Sequence, residues 1–310
     1  MMGTFVQISC ASGKSVLAEQ GINLAFQEIR RIESVFSNFL PESDIFRINN
    51  AREGFIPVKK ETIELISKAK AFYENTDGAF DITVAPLLKT WGFYNKEQRH
   101  RLIPASEIKN NLVLIGSDKI LIDESENKVG FKVPGMAIDL GGIVPGYAVD
   151  RARDILVENG IKNALINLGG DIYCLGSGRT PQGWKVGIQH PLKSGEIIAT
   201  LSLRDRAVTT SGSYENFIEI EQRRFSHIID PRTGYPVDNG LLSVTVVADD
   251  CMTADALATA VFVLGSLKGE ILLKSFKAEA FMISQADKGL TFHITDGLKQ
   301  ILEINHVYRN

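Results

Sequence analysis

The sequence predicts an α+β fold: a single domain over residues 1–310, with room for two sub-lobes, in which helices pack on mixed or antiparallel sheets. Three observations predict it. A few long segments repeat their apolar residues at helical spacing, and short β-like runs bounded by Gly, Pro, Asn and Asp fill much of the remainder. No stretch has the composition of a linker or a low-complexity tail.

The elements follow in chain order. Residues 5–8 alternate like a strand. Residues 15–36 form an amphipathic helix on Ile22, Ala25, Ile29, Ile32 and Phe36. A loop is expected over 37–44, then a helix over 61–73 with Ile63, Ile66 and Tyr73 along one stripe, ending at the turn cluster Asn75-Thr76-Asp77-Gly78. Short β pieces occupy 112–133, and 136–139 reads as a strand leading into a tight turn at Gly141-Gly142. Residues 146–158 read as a helix, with Pro145 at the first helical position, where a missing N–H does no harm, and Gly160 as the stop. Strands are expected over 164–167, 184–188, 197–203, 217–221 and 242–248. A helix over 253–264 has Thr253 as N-cap and Gly265 past its end, and 281–284 with 291–294 close the fold as a strand pair.

Composition excludes several function classes. An apolar fraction of 44% and a charged fraction of 23% are those of an ordinary globular chain. A net charge of −3 gives no broad basic surface, so nucleic acid is not an expected partner. Cys10, Cys174 and Cys251 lack metal-ligand spacing, and an odd number argues against a disulfide framework; flanking apolar residues predict buried free thiols. No apolar run approaches the roughly 18 residues of a membrane span, and the first residues run directly into a strand without a secretory leader. The compartment stays open between the cytoplasm and an exported protein whose leader has been removed.

Four segments carry candidate chemistry. Asp255 and Thr259 are four residues apart near a helix start, one above the other on a single face. Two hard oxygen donors there suit a magnesium ion held against a phosphate. Asp255 alone would equally complement the helix dipole, and Thr259 alone would equally bond a backbone carbonyl. Asp139-Leu140-Gly141-Gly142 and Leu168-Gly169-Gly170-Asp171 offer Gly-rich backbone that a phosphate can approach, although neither is a Rossmann or Walker loop. Residues 226–236 combine His227, Asp230 and Arg232 with a turn; His227 is a candidate base, or a hydrogen-bonded structural residue. Residues 78–93 gather Phe80, Trp91 and Phe93, core rings by default, with a planar ligand as the alternative.

Taken together and in this order, the motifs resemble the ApbE family of flavin transferases. The resemblance runs over nearly the whole chain: Met2-Gly3-Thr4, Ser43-Asp44-Ile45 with Ile48-Asn49, Gly78-Ala79-Phe80-Asp81, Asp139-Leu140-Gly141-Gly142-Ile143 with Gly146-Tyr147-Ala148, Asn167-Leu168-Gly169-Gly170-Asp171, Gly187-Ile188-Gln189-His190-Pro191, Thr210-Ser211-Gly212, 227–234 and 254–259. It implies an enzyme, FAD:protein FMN transferase, that uses Mg²⁺ to move the FMN half of FAD onto a Thr or Ser hydroxyl of an acceptor protein, releasing AMP. The acceptor would be a redox-complex subunit. The resemblance places metal ligands at Gly142, Asp255 and Thr259, nucleotide contacts at Met2, Phe39, Ala79, Phe80, Asp81, Asp139 and Ile229, and the base at His227. It implies a periplasmic or membrane-associated setting where a leader has been removed, and a cytoplasmic one otherwise.

Two positions depart from the pattern. Val144-Pro145 stands where the family has Ala-Lys, so the lysine's nucleotide contact is lost. Phe39 stands where it favours tyrosine; a phenyl ring still stacks on a flat heterocycle, but the hydroxyl contact is lost. Two other activities fit the same motifs: a Mg²⁺-dependent FAD pyrophosphatase, and a non-catalytic FAD-binding protein.

Overall fold

A computed structural model describes residues 2–11, 15–51, 53–94, 102–287 and 289–308. The chain divides into two units. The first comprises Met1–Ile32, Ile143–Tyr214 and Gly240–Asn310; the second comprises Glu33–Gly142 and Glu215–Asn239.

The first unit is built on a seven-stranded sheet in the order β1 (Val6–Cys10), β5 (Ala164–Leu168), β6 (Asp171–Leu175), β9 (Arg206–Gly212), β12 (Leu241–Ala248), β13 (Glu279–Ala286), β14 (Gly289–Ile294). Every neighbouring pair is antiparallel. β12 is buried along nearly its whole length, as a strand covered on both faces must be. One covering is a core that Val208, Val247, Phe281 and Ile283 share with Val186, Ile188 and Leu201 of a second, three-stranded sheet, β15 (Leu302–Ile304), β8 (Ile197–Leu203), β7 (Trp184–Gln189). Helices α6 (Val144–Glu158) and α7 (Cys251–Leu264) also pack on the large sheet, and α8 (Ser266–Ser275) on α7. α7 is apolar all round, which suits a helix buried on every side.

The second unit holds α2 (Asp44–Asn50), α3 (Lys60–Asn75), α4 (Ala85–Trp91) and α5 (Ala105–Leu112), a small sheet β2 (Ile56–Pro57), β4 (Lys128–Phe131), β3 (Ile120–Asp123), and the hairpin β10 (Phe217–Ile220), β11 (Arg223–Ser226). Leu87, Trp91, Ile108, Ile115, Ile220 and Ile229 form its core. α1 (Ser15–Phe36), the longest helix among the described residues, has the expected bounds and begins in one unit and ends in the other.

Three expectations need correction. Residues 136–139 form no strand: the side-chain amide of Asn49 accepts from the Ile138 N–H at 2.8 Å and donates to the Ile138 carbonyl at 2.8 Å, making both bonds a neighbouring strand would make. α7 begins two residues early, at Cys251, because Asp250 is the N-cap and its carboxylate accepts from the Thr253 N–H at 2.8 Å. Gly169-Gly170 is a two-residue hairpin turn between β5 and β6, with φ of +64° and +110°. Cys174 and Cys251 are buried free thiols; Cys10 is only half-buried.

Candidate active site

In the first unit, α6 and α7 cap one another. Asp150, on α6, accepts the N–H of Cys251 on Oδ1 and that of Met252 on Oδ2, each at 2.9 Å. These are orphan donors of the first turn of α7. Asp255, on α7, accepts the Gly146 N–H in the first turn of α6 on Oδ2 at 3.1 Å. Each helix therefore supplies the carboxylate that the other's N-terminus needs. The seam requires glycine at 146: a Cβ there would collide with the Cys251 carbonyl and the Met252 Cα.

Asp255 lies one turn beyond the start of its own helix, so it complements the dipole of α6 instead of its own. It is 7% exposed, and burial together with the Asp150 charge pushes its pKa upward. Burial raises Asp150 to about 6, against the two backbone donors and Arg153, which lower it. The hydroxyl of Thr259, half-buried one turn along α7, makes no hydrogen bond among the described residues, so it does not bond a backbone carbonyl. Also in this unit, Met2 is half-buried at φ +52°, an uncommon conformation for a non-glycine residue.

In the second unit, a polar network fixes Asp139. Tyr94 Oη donates to Oδ2 at 2.6 Å, Asn38 Nδ2 donates to the same oxygen at 2.7 Å, and the Gly141 N–H donates to Oδ1 at 2.7 Å. Asn49 Nδ2 donates to Asn38 Oδ1 at 3.0 Å. Phe39 stands beside this network with its ring in solvent. Gly142 is half-buried, two residues before α6.

Asp81 caps a short 3₁₀ turn and collects three donors on Oδ1: the Thr83 N–H at 2.8 Å, the Thr83 hydroxyl at 2.7 Å and the Ser117 hydroxyl at 2.7 Å. Its Oδ2 is buried without a partner, and burial raises its pKa. Ala79 is buried, and the Phe80 ring packs on Phe72 with centroids 5.8 Å apart.

His227 is half-buried, and its Nδ1 lies 2.9 Å from the Asn216 carbonyl oxygen. A carbonyl only accepts, so Nδ1 carries the hydrogen and Nε2 is the basic nitrogen of the neutral ring. The other polar members of the segment bond each other: Arg232 pairs with Asp230 at 2.8 Å through both Nε and Nη2. Ile229 is buried and bridges to Pro236.

A profile of the ApbE family matches residues 2–282. The chain belongs to the ApbE family. Among ApbE relatives, the FAD:protein FMN transferase of Klebsiella pneumoniae is 36% identical over 273 residues, covering 87% of this chain and 82% of that protein. That of Vibrio cholerae is 32% identical, covering 88% and 82%. The crystal structure of the ApbE protein from Thermotoga maritima superposes with a TM-score of 0.85 at 34% identity, covering 97% of this chain and 96% of that one. The flavin transferase ApbE from Vibrio cholerae gives 0.82 at 28%, with the same coverage. The fold is therefore the α+β fold of ApbE proteins.

Met2, Asp255 and Thr259 belong to the first unit and the other candidate residues to the second. Within the units, Asp255 and Thr259 share a turn of α7, and residues 79–81 are consecutive. Sequence reasoning missed Asp150, Asn38 and Tyr94. Asp150 reads as the solvent face of an amphipathic helix, and Tyr94 lies beyond any motif; only Asn38, next to Phe39 in the early loop, had a neighbour that pointed to it.

Proposed function

We propose that residues 1–310 act as one FAD:protein FMN transferase domain, which moves the FMN half of FAD onto a Thr or Ser hydroxyl of an acceptor protein and releases AMP. The observation that carries this reading is the α7 pair. Asp255 is a buried carboxylate with one hydrogen bond, and Thr259, one turn on, is a hydroxyl with none. It occurs in a chain whose ApbE relatives are FAD:protein FMN transferases.

The donor set fits Mg²⁺. A carboxylate and an unpartnered hydroxyl are hard oxygen donors. Asp255 and Thr259 would hold the ion, which when bound supplies charge neutralisation at a diphosphate and its departing phosphate.

The remaining chemistry belongs to side chains. The acceptor hydroxyl oxygen bonds to the FMN phosphorus as the bond from that phosphorus to the oxygen shared with AMP breaks. AMP leaves with the electron pair. The hydroxyl proton passes to Nε2 of His227, the nitrogen left basic by the bond of Nδ1 to Asn216. Asp139, held by three donors, presents a fixed acceptor to the nucleotide. The acceptor is a protein segment with an accessible Thr or Ser, expected on a redox-complex subunit.

Intact-mass analysis of a candidate acceptor after incubation with FAD and Mg²⁺ tests the reading. A mass gain of one FMN, with AMP released, is the expected result. Free FMN and AMP without an adduct would make the chain a hydrolase, and unchanged FAD would make it a binding protein. His227→Ala should lower the transfer rate by about 10²–10⁴-fold while leaving FAD affinity nearly intact. Parallel loss of both contradicts the base assignment.

A further inference from the structure

The two buried carboxylates of the α6–α7 seam are not alike. Asp150 meets three donors: the Cys251 and Met252 N–H groups at 2.9 Å each, and Arg153 Nη1 at 3.1 Å. Its charge therefore has a cation of its own, the Arg153 guanidinium. Asp255 meets one donor, the Gly146 N–H, on Oδ2 at 3.1 Å. Among the described residues no Lys, Arg or His pairs with Asp255, and its Oδ1 makes no hydrogen bond. A buried anion without a counter-charge is costly to hold.

Helical spacing ties the two carboxylates together. Gly146 and Asp150 are four residues apart on α6, and Cys251 and Asp255 are four apart on α7, so each pair shares one helix face. The backbone bonds close a ring across the seam. It runs from Asp150 to the start of α7, one turn along α7 to Asp255, across to Gly146, and one turn along α6 back to Asp150. The ring has no slack: both Asp150 oxygens are used, and position 146 has no room for a Cβ. With Oδ2 held by Gly146, the planar carboxyl group of Asp255 aims Oδ1 in one direction. A slip of α6 along α7 would break all three bonds together.

We propose that Asp150 is a positioning residue for the cation site: by tying the start of α7 to α6, it holds Oδ1 of Asp255 and the Thr259 hydroxyl in the arrangement that grips Mg²⁺. This rests on the metal reading above. Asp150 is not itself a ligand, since N–H donors occupy both of its oxygens. Groups that orient a metal ligand from behind commonly change metal affinity by about 10–100-fold when they are replaced.

Titration of the full chain with Mn²⁺, an oxygen-seeking octahedral stand-in for Mg²⁺ read by electron paramagnetic resonance, provides the test. Asp150→Asn keeps the size of the side chain, but its amide NH₂ faces one of the two N–H groups donor to donor. It should raise the Mn²⁺ Kd about 10–100-fold. Leu156→Ala removes a fully buried α6 side chain that makes none of the seam's hydrogen bonds. It destabilises the fold and should leave the Kd within about twofold of wild type. Wild type supplies a second measure, which decides the matter if Asp150→Asn does not fold. Mg²⁺ should slow amide hydrogen exchange at Cys251 and Met252 by about fivefold or more beyond its effect on the amides of β7 and β8. The proposal is overturned if Asp150→Asn binds Mn²⁺ as wild type does, or if Leu156→Ala loses as much affinity. It is also overturned if exchange at the seam slows no more than elsewhere, because that marks general stabilisation by a bound ion. A wild-type chain that takes up no Mn²⁺ overturns the metal reading itself, and this proposal with it.

Discussion

Asp255 is a carboxylate placed where ionisation is costly. Burial and the Asp150 charge raise its folded pKa above the roughly 3.9 of an unfolded aspartate. The protonated form is therefore favoured by folding. The stability it contributes is full below about pH 4 and is lost as pH rises through the folded value. Asn at this position still accepts from the Gly146 N–H but cannot ionise. The metal-free Asp255→Asn protein should therefore gain melting temperature relative to wild type as pH rises from about 4 to 8. It should also lose Mg²⁺-dependent FMN transfer by about a hundredfold or more, since a neutral amide is a poor ligand for a hard cation. Thermal melts across that range, paired with the transfer assay, check both halves. A difference in melting temperature that moves the other way with pH would mean that Asp255 is not disfavoured as an anion.

At the scale of the element, the seam between α6 and α7 is closed by side-chain carboxylates that accept from backbone donors. Asp150→Ala leaves the Cys251 and Met252 N–H groups buried without acceptors and Arg153 without its Asp150 partner. Loss of charge-assisted bonds of this kind should lower the unfolding free energy by about 2–4 kcal/mol, measured by denaturant titration. A change under 0.5 kcal/mol would mean water replaces the carboxylate. This seam was half legible in the sequence. Pro145, Gly160 and the apolar stripe mark α6, and the Asp255–Thr259 spacing puts both residues on one turn of α7. The reciprocal caps were not legible, because they join residues about a hundred positions apart through main-chain atoms, which no side-chain pattern records. α1 was read to the residue because Ala25, Ile29, Ile32 and Phe36 bury one stripe. α8 was missed because Leu267 and Ile271 point to solvent, so its apolar residues do not mark its buried face. β9 was missed because it buries Thr209 in mid-sheet, where apolar alternation breaks down. α4 is only seven residues, buried on several sides, and its Trp91 reads as part of an aromatic cluster.

For the whole molecule, the order of motifs was more informative than any one motif, since each Gly-Gly or His-Asp pair has a structural explanation. Chain connectivity was the hidden part: the first unit is assembled from three separate segments, and β12, laid down late, pairs with both β9 and β13. Two thiols sit inside that unit, Cys174 in β6 and Cys251 at the start of α7, while Cys10 on the outer strand β1 is half-covered. Desolvation lifts the Cys174 thiol to about 12 and Cys251 well above its ordinary value, so neither offers a thiolate to an electrophile while the unit is closed. The protein thus carries its own clock for opening. Under pulsed alkylation Cys10 should be tagged first, and the other two together, at a rate that climbs with denaturant. Tagging of Cys251 ahead of Cys174 would instead reveal that the two helix starts part before the strands do.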